Sequence, residues 1–252
     1  MNKPLCAGVL AMVLTSLSSQ ADTLLGVYAG AQAWDMETTG GFSDSNDNVD
    51  FNFDDETKGS FYVALEHPVP FVPNIKLQRT GLDTNGQTVL SSSMTYGGEL
   101  FSADTTVNTN LDLVSTDYIA YYELFDNDLV SFDLGINAKH LDGDIYLEAQ
   151  NDATQSAARD FSGFVPMLYS RVEVGVPFTG FGAFVEGSFL AFDDNKITDY
   201  QAAITYGLLD NLAIDATLQL GYRSLEMELD DLDGIYTDFE FSGAFIGVEV
   251  HF

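Results

Sequence analysis

The last fourteen residues, Phe239-Glu-Phe-Ser-Gly-Ala-Phe-Ile-Gly-Val-Glu-Val-His-Phe252, restrict the fold more than any other stretch. Ala244, Ile246, Val248, Val250 and Phe252 share one parity. Gly243, Phe245, Gly247, Glu249 and His251 share the other. Alternation at period two puts successive side chains on opposite faces of an extended strand. A strand with one greasy and one polar face needs an apolar neighbour on one side and a wet or polar one on the other. The rest of the chain can be tested against that demand.

The amino-terminal stretch predicts export. Lys3 supplies a positive region, Leu5 to Leu14 an apolar core, and Ser19-Gln-Ala21 a small-residue cleavage site before Asp22. Residues 1–21 therefore read as a secretory signal peptide, and residues 22–252 as one mature domain. A lipoprotein signal is the alternative, because Cys6 is present. A lipidated cysteine follows the apolar core, however, and this one opens it. Cleavage removes the single cysteine, leaving no disulfide, thiol nucleophile or thiolate metal site. No later run approaches the ~18 apolar residues of a transmembrane helix. A chain of this kind can span a bilayer only as a closed barrel, because an open sheet edge strands polar backbone groups in lipid.

Ten segments carry the strand pattern: 24–34, 60–67, one starting near Ile75, 111–124, 130–139, 164–176, 181–192, 197–208, 212–227 and the last. In the fifth, Val130, Phe132, Leu134, Ile136 and Ala138 alternate with Ser131, Asp133, Gly135, Asn137 and Lys139. The connections alternate too. Polar or acidic loops are expected at 35–58, 84–110, 142–160, 193–194 and 228–238, the third with strand extensions through Ile145 and Leu147. Short turns are expected at His67–Asn74, where three prolines exclude a sheet interior, and at 125–128, 177–180 and 209–211. The sequence thus predicts an all-β fold, an antiparallel up-and-down transmembrane β-barrel of ten strands with long loops outside. Eight strands, the alternative, would require two hairpins to merge. Arg79 is a misfit on the lipid face of the third strand. It must either reach the interface or lie near a bulge that flips the register.

Parity then places Glu66, Lys76, Glu123, Asp133, Lys139, Arg171, Glu173, Glu186, Asp215, Arg223 and Glu249 inside the barrel. Small barrels fill their interior with side chains, and buried charges persist when paired. A plugged lumen is the first expectation, and a narrow passive, porin-like channel for small solutes or cations the second. The chain carries 39 Asp plus Glu against 9 Lys plus Arg, a formal charge of −30. That balance argues against nucleic acid and anionic lipid as partners.

Catalysis has little support. His140 precedes Leu141-Asp-Gly-Asp144, and a His beside a carboxylate is the minimum for activating water. A solvated rim histidine is the simpler reading, so no catalytic residue is assigned. No cofactor is implied. Asp44, Asn46, Asn48 and Asp50 offer oxygen ligands at alternate positions, as calcium or magnesium prefer. Val49, however, stands where an EF-hand needs glycine. The acids around Gly234 match no better, with Leu229 at the first ligand position. Weak loop binding of either cation is therefore set against a merely solvated acidic rim. Ligand binding by the loops would need exposed aromatics, for which Phe42, Phe51, Phe53 and Tyr96 are the candidates.

His67-Pro-Val-Pro-Phe-Val-Pro-Asn-Ile-Lys-Leu77, Tyr121-Tyr-Glu-Leu124, Leu134-Gly-Ile136 and Leu141-Asp-Gly143 carry a resemblance. With them the mature chain resembles a gammaproteobacterial outer-membrane β-barrel family marked by a Gly-Gly pair, here Gly97-Gly98. More broadly it is similar to the small OmpA/OmpW-like barrels. The resemblance implies residence in the bacterial cell outer membrane, with that lipid bilayer as the main partner; a monomer is expected. It also implies that Phe252, with Val250, Val248 and Ile246, is the signal read by the barrel assembly machinery during biogenesis. It implies no activity and transfers no functional residues.

Overall fold

The computed structural model describes residues 25–44, 48–127, 129–192, 195–211, 214–232 and 235–252. Residues 1–21, expected to be a signal peptide, and Leu24, Asn46, Asp128, Asp193, Asp194, Leu212, Asp233 and Gly234 lie outside the described residues. Ten antiparallel strands form the barrel: β1 (Gly26–Ser43), β2 (Glu56–Glu66), β3 (Asn74–Gly81), β4 (Thr106–Asp126), β5 (Val130–Ala149), β6 (Asp152–Gly175), β7 (Phe181–Phe192), β8 (Asn195–Asp210), β9 (Asp215–Leu232) and β10 (Ile235–His251). Each pairs with its sequence neighbours. The ring closes where β10 meets β1, from Tyr28 opposite His251 to Ser43 opposite Tyr236.

The start of β1, the end of β10 and the tight connections share one end, called here the turn end. Two of its turns place a phenylalanine after a proline in the left-handed region, Phe71 at φ 66° and Phe178 at φ 64°. Both rings are fully exposed. Asn74 fixes the proline-rich turn by accepting the His67 N–H at 3.0 Å.

The outward face of every strand near the turn end is apolar. Phe61, Val63, Ile75, Leu77, Ile136, Leu168, Val185, Ile204, Leu220 and Ile246 all project outward and are exposed. A belt of exposed aliphatics around a closed ring with a polar interior is the surface a bilayer solvates. The molecule is a transmembrane β-barrel. Arg79 keeps its register on this outer face with no bulge in β3. It sits at the belt's upper edge, beside the Thr116 hydroxyl at 3.4 Å, so of the two sequence expectations the interfacial position is the one adopted.

The far end departs from the loops expected from the sequence. Segments 35–43, 152–160, 228–232 and 235–238 continue the strands instead of leaving them, and β5 runs on to Ala149 through the expected extension at Ile145 and Leu147. Their alternation persists with polarity reversed. Leu141, Ile145 and Leu147 turn inward on β5 while Asp142 and Asp144 turn outward. Leu225, Met227 and Leu229 do the same on β9 against Glu226 and Glu228. Once a strand leaves lipid, the side that must be dry is the inside, and the ladder still satisfies the backbone. Segment 84–110 is partly strand as well. Thr84–Val89 runs beside the upper half of β4, and Met94–Tyr96 pairs with Glu99–Phe101 in a two-stranded ribbon. Gly97 (φ 56°) and Gly98 (φ 84°) form the ribbon's two-residue turn, which requires positive φ at both positions.

The wall is uneven. β6 has 24 residues and β7 only 12, and their pairing stops at Leu168 opposite Phe189. Above that point β6 is paired only with β5 among the described strands. Pro166 lies two residues beyond the last β7 contact, where a missing ladder N–H is tolerated.

Candidate functional site

The lumen is filled in three layers, and parity along each strand decides which side chain enters which. At the turn end a cavity of about 240 Å³ opens between Tyr28, Tyr62, Tyr121 and Tyr169 and the carboxylates of Glu66, Glu123, Asp133, Glu173 and Glu249. The tyrosines are donors to the acids. Tyr121 donates to Glu66 at 2.7 Å, and Tyr62 donates to Glu249.

The middle layer is ionic and almost wholly buried. Glu186 receives the Lys76 ammonium and, at 2.9 Å, the Arg171 guanidinium. Tyr169 and Gln201 donate to the same carboxylate at 3.1 and 3.2 Å. Arg171 also reaches Glu173 at 2.7 Å and lies over the Phe184 ring. A second cluster sits higher. Lys139, fully buried, bridges Asp117 at 2.7 Å and Asp199 at 2.9 Å. Arg223 grips Asp199 with two N–H groups at 3.0 and 2.8 Å, and donates a third to Thr80. Such two-pronged pairing fixes orientation as well as charge. Between the clusters a void of only about 20 Å³ remains, room for about one water.

The third layer, at the far end, is hydrocarbon. Trp34, Met36, Phe42, Phe51, Leu82, Tyr96, Phe101, Leu111, Leu141, Ile145, Met227, Phe239 and Phe241 form one buried cluster across the bore. Phe42 stacks on Phe51 at 4.8 Å, and Tyr96 meets Phe42 edge-on at 5.3 Å. The expectation of exposed loop aromatics is thus corrected for Phe42, Phe51 and Tyr96, which are buried, and for Phe53, which packs against the cluster. The connecting segments fold back into the bore because their aromatics find more dry surface there than outside. Burial, and nearby Asp44, raise the Tyr96 phenol well above its usual range.

The residues placed inside by parity divide among these layers. Lys76, Lys139, Arg171, Glu186 and Arg223 lie in the ionic layer. Glu66, Glu123, Asp133, Glu173 and Glu249 line the turn-end cavity. Asp215 belongs to neither network. It sits at the rim, with His251 Nδ1 3.6 Å away. Asp117 and Asp199 are central yet were not singled out from the sequence. Their parity with Ile119 and Tyr121, and with Ile197 and Gln201, was the available signal. Val248, Ile246 and Phe252 face outward on the closing seam, and Val250 pairs with Ala29. The Phe252 N–H donates to Val27 at 2.9 Å.

The loop acids are less convergent. Asp44 accepts the Gly97 N–H at 2.9 Å and faces Arg159 at 3.6 Å. Asn48 receives the Ser43 hydroxyl at 3.5 Å, and Asp50 is exposed. Among the described residues no three carboxylate or imidazole groups converge as a metal would require. His140 projects from the outer wall, stacked on Phe164 at 4.4 Å and bonded to Ser162 at 3.1 Å. Outside the belt, Asp112, Asp144 and Asp160 stand directly opposite one another on β4, β5 and β6. Partial burial together with these two neighbours raises the Asp144 carboxyl.

Similar solved structures are bacterial barrels with little sequence in common. The outer membrane protease OmpT from Escherichia coli is 10% identical, covering 90% of this chain and 97% of its own, at a TM-score of 0.46. The transport unit of the autotransporter AIDA-I from Escherichia coli is 7% identical, covering 96% and 93%, at 0.41. A Pseudomonas aeruginosa FadL homologue is 9% identical, covering 90% of each chain, at 0.33. No family model and no curated protein matches the sequence.

Proposed function

We propose that this chain is a non-enzymatic, non-conducting integral barrel of the bacterial outer membrane. Its turn end faces the periplasm, and its acid-rich far end meets the exterior, where it contributes surface structure and contacts with ions or external ligands. The observation that carries this reading is the succession of two different fillings in one bore, a salt-bridged layer and then a hydrocarbon core. A hydrated ion crossing it would have to break the first and desolvate into the second, each at a cost of several kcal/mol. The connection seen in such barrels between short turns and the periplasmic side supports the orientation.

A narrow passive channel is the second reading, favoured by the open cavity at the turn end. Planar-bilayer recording of the refolded mature protein, with magnesium added and withheld, separates the two. A silent bilayer containing folded barrel is expected. Discrete, reproducible openings would overturn the proposal and establish the channel.

A further inference from the structure

The cavity at the turn end has a chemistry that the ionic layer above it does not. Its lining includes six carboxylates and only two cationic side chains, Lys76 and Arg171. Both cations are turned toward Glu186, with Arg171 also bound to Glu173. None of the ion pairs among the described residues includes Glu66, Glu123, Asp133 or Glu249, although Arg171 stands directly opposite Asp133 in the ladder. Glu66 and Glu249 accept hydrogen bonds from tyrosine hydroxyls.

Asp133 sharpens the point. Its side chain lines the cavity and is only 6% exposed, yet its Oδ1 has no hydrogen-bond partner. A buried carboxylate without a donor is costly unless it is protonated or a cation completes it. A metal ion does not suit the geometry, because no three acids converge on one point among the described residues. The walls suit a different cation. Tyr28, Tyr62, Tyr121 and Tyr169 present rings and hydroxyls between the acids, and the Lys76 ammonium already rests over the Tyr62 ring at 4.5 Å. Carboxylates spaced around aromatic faces recognise ammonium groups by charge and by cation–π attraction. At about 240 Å³ the space is below the ~300 Å³ of the smallest drug-sized pockets and suits a slender molecule.

We propose that this turn-end cavity is a binding site for a small organic polycation, a linear polyamine carrying two or more ammonium groups, received by Asp133, Glu123, Glu66 and Glu249. The site lies below the ionic layer, so it is reached from the turn end whether or not the bore conducts. Failure of this proposal is thereby separable from failure of the non-conducting reading.

The test is isothermal titration of spermidine into the folded barrel in detergent micelles at about 0.15 M salt, where exposed charges are screened. One-to-one binding is expected. Asp133→Asn should weaken it by about tenfold or more, the loss of one charge-assisted contact. Asp142→Asn, on the outer wall, should leave it unchanged. Glu123→Gln, at the exposed mouth, serves as the second variant and carries the test if Asp133→Asn does not fold. Binding of several spermidine molecules per barrel that Asp142→Asn weakens as much would overturn the site, as would displacement by an equal concentration of magnesium. An affinity unmoved by Glu123→Gln in the folded protein would overturn it too.

Discussion

Along β5, Leu134 and Ile136 face lipid while Asp133, Asn137 and Lys139 face the bore. A few residues higher, Asp142 and Asp144 face water while Leu141, Ile145 and Leu147 face the bore. The backbone does not change facing between these halves. Only the side that must be dry changes. In the belt the dry side is outside, so the interior can be polar provided its charges are paired and hydrogen-bonded. Above the belt, water surrounds the wall and the interior becomes an ordinary core. A single ring of strands thus behaves as a membrane barrel below and as a soluble barrel above. Trp34, the only tryptophan, sits at the junction. Its indole donates to Gly243 at 3.2 Å, and the Arg223 guanidinium lies 5.1 Å from its ring.

That position makes Trp34 fluorescence a reporter for both halves during denaturant unfolding. The largest effect is expected in the polar half. Lys139→Met leaves Asp117 and Asp199 buried around an apolar chain and should cost about 3–5 kcal/mol. An unchanged midpoint would mean that the ionic layer is wet. Next comes the apolar half, where Leu147→Ala opens a cavity in a fully buried site and should cost about 2–5 kcal/mol. If that variant instead unfolds the far end alone, before the belt, the two halves are separable cooperative units.

Gly98→Ala probes how the far end is closed. Open space surrounds the added methyl, so only the φ of 84° resists it. A loss of about 1–2 kcal/mol is expected. No loss would show that the ribbon rebuilds its turn without penalty.

The smallest effect concerns the outer wall. Because the Asp144 carboxyl is raised in the folded barrel by partial burial, Asp112 and Asp160, its ionised form is disfavoured there. The resulting penalty is absent below the unfolded value of about 4 and develops as pH rises through the folded one. Asp144→Asn should therefore stabilise the barrel at neutral pH by a few tenths of a kcal/mol. The gain should vanish on acidification and shrink in high salt. A gain independent of pH would point to a cause other than carboxylate repulsion.

The strand count and the barrel class were legible because period-two alternation is strongest where one face meets lipid, as in β5 and β10. Beyond Met227 and the extension through Ile145 and Leu147, the far end reads as loops for a physical reason. Leu225-Glu-Met-Glu-Leu229 and Leu141-Asp-Gly-Asp-Ile145 alternate as strictly as the belt does. They do so in the opposite phase, and a reader who fixes which parity faces lipid sees the reversal as the end of the strand. The aromatics at 42, 51 and 96 look like exposed loop residues until the reversed phase supplies a dry interior to receive them. The lumen charges were found by parity alone, which gives the facing of a residue but not its height. Asp215 could not be told from Asp133 in that way. Asp117 and Asp199, at inward parity, passed unnoticed among Ser, Thr and Tyr neighbours.

The seam between β1 and β10 joins residues more than ~190 positions apart in sequence, Ser43 with Tyr236 being its nearest pair. Contacts of such separation are entropically late and make β-topologies slow to fold. No ring exists until the last strand is available, and neither half has a complete wall before then. The belt side chains, exposed in the open sheet, would meanwhile favour association with other chains. The order of events is therefore written into the topology. The ring stays open until β10 is in place, and the residues that complete it are the same ones whose alternation announces it.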